Sequence, residues 1–136
     1  MDKQKIIRIL LVSPDKASMS AFKSGLEKNQ VQTAWARSGS NAIVKITEGR
    51  FDLVVTDENL GDMTGLEFIE KVISIKPMVN CAAVSSLLPV DFHEAGEGLG
   101  IIMQLPVSPG QEQAEKLLRQ LKTIMNLEQR TELKMD

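Results

Sequence analysis

Some residue types that define whole classes of protein are nearly missing from this 136-residue chain. The single cysteine, Cys81, excludes an internal disulfide and fits a reducing cytoplasm. Because it lies in an apolar stretch, we interpret it as a core residue rather than a reactive thiol. The single histidine, His93, has no cysteine or histidine at ligand spacing, so a zinc site around it is not predicted.

Strong charge and long apolar runs are also absent. The net charge is −2 and the basic residues form no stripe, so nucleic acid is not an expected partner. No apolar run reaches a membrane-spanning length, and residues 1–8 lack the features of a signal peptide. Neither glycine-containing stretch, at 61–65 or 96–100, follows the strand, loop and helix order of a nucleotide site. We expect a soluble, cytoplasmic protein that is not an enzyme.

Five apolar runs of strand length alternate with five segments of helical periodicity. The predicted strands cover 6–12, 31–36, 52–56, 81–84 and 100–104, and the last helix starts near Pro109. Parallel strands need crossover connections, so this alternation predicts a doubly wound, five-stranded parallel sheet with helices on both faces. We predict one α/β domain over residues 1–127.

Residues 128–136 form a predicted C-terminal helical extension or tail, because the apolar stripe of the last helix fades past Leu127. Two interpretations stay open for it. It is a frayed end, or it is a linker or dimer-forming helix.

Polar residues at the strand ends are the place to look for function, because ligands of such sheets bind outside the carboxyl ends of the strands. The third strand is the clearest of the five and leads directly into Asp57. Ser13 and Asp15 follow the first strand, and Ser85 follows the fourth. Asp57 is therefore the predicted functional centre.

The run Leu53-Val54-Val55-Thr56-Asp57, with Gly65-Leu66-Glu67 beginning eight residues after the aspartate, resembles the receiver domain of bacterial response regulators. The resemblance covers Ile6 to about Met125. It implies the flavodoxin-like strand order 2-1-3-4-5 and makes Asp57 the candidate acceptor of a phosphoryl group from a histidine kinase. It also implies partners that are proteins, either a kinase or an effector domain.

The same resemblance implies a magnesium site and a phosphoryl contact. Mg²⁺ would be held by Asp57, by the backbone carbonyl of Asn59 and by an acidic pair after the first strand. Ser85 falls on the hydroxyl residue that contacts the phosphoryl group. Pro106 falls on a proline that typically follows a cis peptide bond. No catalytic residue is implied.

The chain departs from the family at the positions that support this chemistry. Ser13 and Pro14 replace the acidic pair, which leaves Asp15 as the one candidate acid there, although capping of the first helix is its commoner role. Leu105 replaces a lysine, and Ile102 replaces an aromatic residue. Mg²⁺ binding is thus expected to be weak or absent.

Two functions remain open from the sequence. The first is a receiver-like signalling module of a phosphorelay, with Asp57 as phosphoacceptor and output through protein contacts. The alternative is a pseudo-receiver that docks or dimerises without phosphorylation. The Ser85 hydroxyl could equally form hydrogen bonds with backbone groups that lack another partner. Glu58 and Asp62, which follow Asp57, are expected to form a solvated acidic loop.

Overall fold

Five parallel strands form a single sheet, and a helix follows each of them. The computed structural model describes residues 6–134, with side chains described through residue 126. The elements in chain order are β1 (Arg8–Val12), a 3₁₀ turn (Ala17–Met19), α1 (Ser20–Glu27), β2 (Gln32–Ala36), α2 (Gly39–Glu48), β3 (Leu53–Thr56), α3 (Gly65–Ile75), β4 (Asn80–Val84), α4 (Pro89–Ala95), β5 (Ile101–Leu105) and α5 (Gln111–Lys134).

The strand order is β2-β1-β3-β4-β5, with every neighbouring pair parallel. This confirms the predicted doubly wound sheet and its order. The three central strands are almost completely buried, which explains their nearly continuous apolar sequences. The amphipathic helices then cover the sheet on both faces.

The sheet separates two hydrophobic cores. One core joins β-strand side chains to α1 and α5, through residues such as Phe22 and Leu117. The other joins them to α2, α3 and α4, through residues such as Ile46, Phe68 and Phe92. Each amphipathic face predicted from helical periodicity therefore has a partner on the sheet.

Cys81 lies in the second core and is 1% exposed. Burial raises the pKa of its thiol to about 12. Because the thiolate is the reactive form, this confirms the interpretation of Cys81 as a core residue.

The first helix begins with a 3₁₀ turn at Ala17, after Asp15, and continues as α1 from Ser20. One local detail differs from the sequence-based expectations. The peptide bond before Pro106 is trans, which corrects the cis geometry that the resemblance implied. Trans is the intrinsically favoured isomer of an X–Pro bond. The loop takes an unusual backbone conformation further on, at Ser108, whose φ is 53°.

The helix α5 is longer than the strand that it follows. Its 24 residues span about 36 Å, whereas the five residues of β5 span about 17 Å. No helix in the described part of the chain is both long and apolar enough to cross a membrane.

Candidate functional site

The strand register brings the predicted site residues to one edge of the sheet. Val12 pairs with Thr56 and Thr56 pairs with Ala83, so β1, β3 and β4 end side by side. Ser13, Asp57 and Ser85 come one residue or two after these positions. They therefore share the carboxyl edge, as the sequence predicted.

Asp57 is held by hydrogen bonds from its backbone N–H and to both oxygens of its carboxylate. Its backbone N–H donates to the carbonyl oxygen of Val12 over 2.8 Å. Its Oδ1 accepts from the backbone N–H of Glu58 at 2.8 Å. Its Oδ2 accepts from the hydroxyl of Ser13 at 2.6 Å, and Ser13 is fully buried. A neutral hydroxyl thus contacts the carboxylate at the position where the resemblance implied an acid.

Gly65 explains the close approach of α3 to Asp57. A Cβ atom at position 65 would collide with the carbonyl oxygen of Asp57 and crowd the side chain of Thr56. Thr64, which precedes it, caps α3 through a reciprocal pair of hydrogen bonds with Glu67. The Gly65-Leu66-Glu67 run is thereby accounted for by packing and capping.

Of the two other predicted metal ligands, the carboxylate of Asp15 is engaged elsewhere. The carboxylate of Asp15 accepts from the backbone N–H groups of Ala17 and Ser18, at 3.0 and 3.4 Å, as a helix-capping aspartate does. Asn59 is a predicted ligand through its backbone carbonyl, and that assignment stays a prediction; its side-chain oxygen accepts from the N–H of Gly61 at 3.0 Å. Neither side chain is directed to Asp57 by a hydrogen bond.

The oxygen atoms of these side chains do not match the ligands of a magnesium site. Mg²⁺ requires oxygen ligands in near-octahedral geometry, usually including more than one carboxylate or phosphate oxygen. Here Oδ2 of Asp57 accepts from Ser13, and the carboxylates of Asp15 and Glu58 accept from backbone N–H groups of Ala17 and Ser86. Among the described residues, no group of three acidic, histidine or cysteine side chains could hold a metal ion. We therefore derive no chemistry through Mg²⁺ in this chain.

Leu105 ends β5 as a core residue. It is fully buried and belongs to the core beneath α1 and α5. Within the described residues, no lysine or arginine forms an ion pair with Asp57. A phosphoryl group on Asp57 would leave this side chain with about 1.5 to 2 negative charges in place of the single charge of the carboxylate. No cation of the described residues is paired with it to neutralise them.

Glu58 makes a set of contacts that sequence reasoning missed. Its Oε2 accepts from the backbone N–H of Ser86 at 3.0 Å and from the Ser86 hydroxyl at 3.0 Å. The Ser85 hydroxyl lies 3.5 Å from the same oxygen. Glu58 is half-buried, so the expectation of a merely solvated acid at this position is wrong.

Asp62 is the second acid whose role the sequence did not reveal. Its two carboxylate oxygens accept from the backbone N–H groups of Gly39 and Ser40, at 3.0 and 2.9 Å. The hydrogen bonds from Ser40 and then Gly39 hold the pKa of Asp62 below its usual value. The loop 58–64 is therefore tied to the start of α2 on one side and to the loop after β4 on the other.

Ser85 is nine-tenths buried, and its hydroxyl both accepts and donates. It accepts from the backbone N–H of Leu87 at 3.1 Å, which is the role expected of a serine that satisfies loose backbone groups. Gln104 supports the same loop by donating to the carbonyl oxygen of Leu87 at 2.9 Å. Ser85 is thus linked to Asp57 by way of Glu58, whose carboxylate lies 3.5 Å from the Ser85 hydroxyl and whose backbone N–H donates to Asp57.

Comparison with known proteins places these features in a family. The family model described as the response regulator receiver domain matches residues 9–106. The sequence is also 29% identical, over 66 residues, to the autoinducer 2 sensor kinase/phosphatase LuxQ of Vibrio vulnificus strain YJ016. That match covers 48% of this chain and 8% of the kinase, so the chain corresponds to a small part of that relative.

Solved structures share the fold at lower identity. A CheY-like receiver domain protein from Methanospirillum hungatei is 23% identical, with a TM-score of 0.77 over 88% of this chain and 96% of that one. The signal receiver domain of an HD domain-containing protein from Pseudomonas fluorescens is 17% identical, with a TM-score of 0.81 over 96% of each chain. These structures establish a shared fold.

Proposed function

The chain belongs to the response regulator receiver domain family, and on this basis we propose that it is a docking module of two-component signalling whose protein contacts do not depend on phosphorylation of Asp57. Receiver domains act through contacts with histidine kinases or effector domains. For this chain we propose a partner of that kind, a cytoplasmic location, no nucleic-acid partner and no enzymatic activity of its own.

The hydrogen bond between Ser13 and Asp57 carries the proposal. Phosphoryl transfer depends on electrostatic neutralisation of the transferred group, usually by metal ions and cationic side chains. A buried hydroxyl 2.6 Å from the acceptor oxygen supplies neither a metal ligand of the right charge nor a cation. Leu105 at the end of β5 adds an apolar group where a cation would be needed. The edge is therefore suited to a fixed arrangement rather than to a cycle of phosphorylation.

Phosphorylation of Asp57 is the second candidate, and one observation favours it. Asp57 is half-buried rather than enclosed, and it stands directly after β3 at the carboxyl edge. A small phosphodonor can reach a side chain in that position. This candidate requires that the Ser13 hydrogen bond be broken and that neutralising charge come from outside the described residues.

One experiment separates the two candidates. The full chain is incubated with Mg²⁺ and either acetyl phosphate or beryllofluoride, and intact mass and backbone amide NMR spectra are compared with those of Asp57→Asn. We expect no change that depends on Asp57. A mass increase of one phosphoryl group that disappears in Asp57→Asn would overturn the docking proposal and establish the second candidate.

Self-association is a separate part of the proposal, based on α5. The helix extends well past the length needed to cover β5, and the extension predicted at 128–136 lies outside the residues whose side chains are described; we propose that it forms a contact between two copies. Size measurements by light scattering on the full chain and on a chain ending at Leu127 test this. A mass that is equal for both chains, apart from the deleted residues, contradicts dimerisation through the extension.

A further inference from the structure

A cavity of about 370 Å³ opens at the amino edge of the sheet, the edge opposite Asp57. Its walls come from the turn between α2 and β3, from the turn between α3 and β4, and from Met125 of α5. Asp52 in the first turn is five residues before Asp57, and an extended chain of that length spans about 17 Å. The cavity is therefore separate from the candidate site.

The wall of this cavity is largely apolar. Ile46, Phe51 and Val79 line its inner part and pack in or against the second core. At the rim, Ile75 is 41% exposed and Met78 is 84% exposed. A cavity of a few hundred cubic ångströms with an apolar lining is typical of small-molecule sites, which bury most of a ligand's surface.

Two cations flank the apolar wall. Arg50 and Lys76 both line the cavity and are both exposed. In the part of the chain that the structure describes, neither side chain forms an ion pair. The acid in the wall, Asp52, accepts from the backbone N–H of Arg8 at 2.9 Å and is thereby engaged with β1. The described residues of the wall therefore carry an excess of positive charge.

Hydrogen bonds hold the two turns in place without a ligand. The backbone N–H of Lys76 donates to the carbonyl oxygen of Val72 at 2.7 Å, and that of Val79 donates to the carbonyl oxygen of Lys76 at 3.2 Å. The side-chain amide of Asn80 donates to the carbonyl oxygen of Asp52 at 3.4 Å, which joins the two turns. A ligand would thus enter a formed cavity, which lowers the entropic cost of binding.

We propose that this cavity binds a small amphipathic carboxylate. Its apolar body lies against Phe51 and Val79, and its anionic group lies toward Arg50 and Lys76. The apolar wall supplies the driving force through burial, and the two cations select the sign of the charge. The inference goes beyond the proposed function, because it involves neither Asp57 nor a protein partner.

The test titrates the full chain with octanoate and follows the backbone amide NMR spectrum. We expect saturable shifts, with one site per chain, at the amides of residues 49–52 and 76–80. Acetate has the charge without the apolar body, and octylammonium has the body with the opposite charge. Each should bind at least about tenfold more weakly than octanoate.

Substitutions test the two parts of the wall separately. Arg50→Gln and Lys76→Gln should each weaken octanoate binding about two- to fivefold, as expected for an exposed charge pair. Lys71→Gln, which removes an exposed cation of α3 outside the cavity, is their matched control. Met78→Ser should also weaken binding, whereas Val44→Ser, at an exposed apolar position of α2 outside the cavity, should not.

Three outcomes would overturn the inference. The first is a set of shifts that spreads over the surface and does not saturate, or no shift at all. The second is equal binding of octanoate and octylammonium. The third is octanoate binding that Arg50→Gln and Lys76→Gln together leave unchanged. None of these measurements depends on Asp57, so a failure here is distinct from the mass increase that would overturn the proposed function.

Discussion

The hydroxyl of Ser13 donates to Oδ2 of Asp57 over 2.6 Å and joins the ends of β1 and β3. The donor is fully buried, and the acceptor also receives the N–H of Glu58 on its other oxygen. This pair replaces the cluster of acids that the family resemblance would place at the same edge. Its strength is open to direct measurement.

Ser13→Ala should lower the free energy of unfolding by about 1.5 to 3 kcal/mol, the range for a hydrogen bond to a charged group. The substitution leaves no large cavity. The Ser13 hydroxyl also accepts from the backbone N–H of Asp15 at 3.0 Å, so the measured change includes the loss of that hydrogen bond. Urea denaturation measures the change. Ser74→Ala, at an exposed position on α3, is the control and should change stability by less than about 0.5 kcal/mol. Equal stabilities for the two variants would contradict the assignment.

Ser13→Asp combined with Leu105→Lys should give the chain a phosphoryl-acceptor site. The aspartate supplies a second carboxylate beside Asp57, and the lysine stem can extend from the core toward the carboxyl edge. We expect Mg²⁺-dependent beryllofluoride binding, seen as amide shifts around Asp57. Adding Asp57→Asn to the pair should abolish it. No binding by the double variant would mean that more than these two positions disables the site.

Gly65→Ala should destabilise the protein by about 1 to 3 kcal/mol, because the new methyl group meets the backbone carbonyl of Asp57. Backbone cannot move aside as a flexible side chain can. Thermal denaturation measures the loss. Gly110→Ala is the matched control, since a Cβ there makes an ordinary contact with the side chain of Gln113. A Gly65→Ala variant as stable as Gly110→Ala would contradict the close approach.

Asp62 should make the stability of the protein depend on acid pH. Its folded pKa lies below the usual 3.8, so the ionised form is favoured by folding. The contribution is therefore complete well above pH 3.8 and is lost as the pH falls through the lower folded pKa. Denaturation midpoints of wild type and Asp62→Asn should differ near neutral pH and converge in acid. A difference that is constant across this range would rule out the titration of Asp62 as its source.

The fold could be predicted from the sequence because its signals are local and periodic. The buried strand Leu53–Thr56 reads as an uninterrupted apolar run, and each helix shows its apolar stripe. The position of Asp57 follows from that strand, and the burial of Cys81 follows from its apolar neighbours. In each case the residues that carry the signal are adjacent or one helical turn apart.

The contacts of Glu58 and Asp62 could not be predicted in the same way. Glu58 meets Ser86 across 28 residues of sequence, and Asp62 meets Ser40 across 22. Acidic residues in a loop give no periodic signal. Nothing in the sequence distinguishes an acid whose carboxylate is solvated from one whose carboxylate accepts hydrogen bonds from the protein. The one available signal was the predicted strand order, which places the loops after β3 and β4 side by side.

The burial of Leu105 has a consequence for how this sequence can change over generations. A lysine at position 105 alone would have to extend out of the apolar core that now surrounds the leucine, toward an edge where Ser13 already donates to Asp57. An aspartate at position 13 alone would bring two carboxylates within hydrogen-bond distance of each other, without a cation between them. The two substitutions together are therefore expected to cost less stability than the sum of each one alone. Positions 13 and 105 are coupled through the charge at this edge, although they lie on different strands.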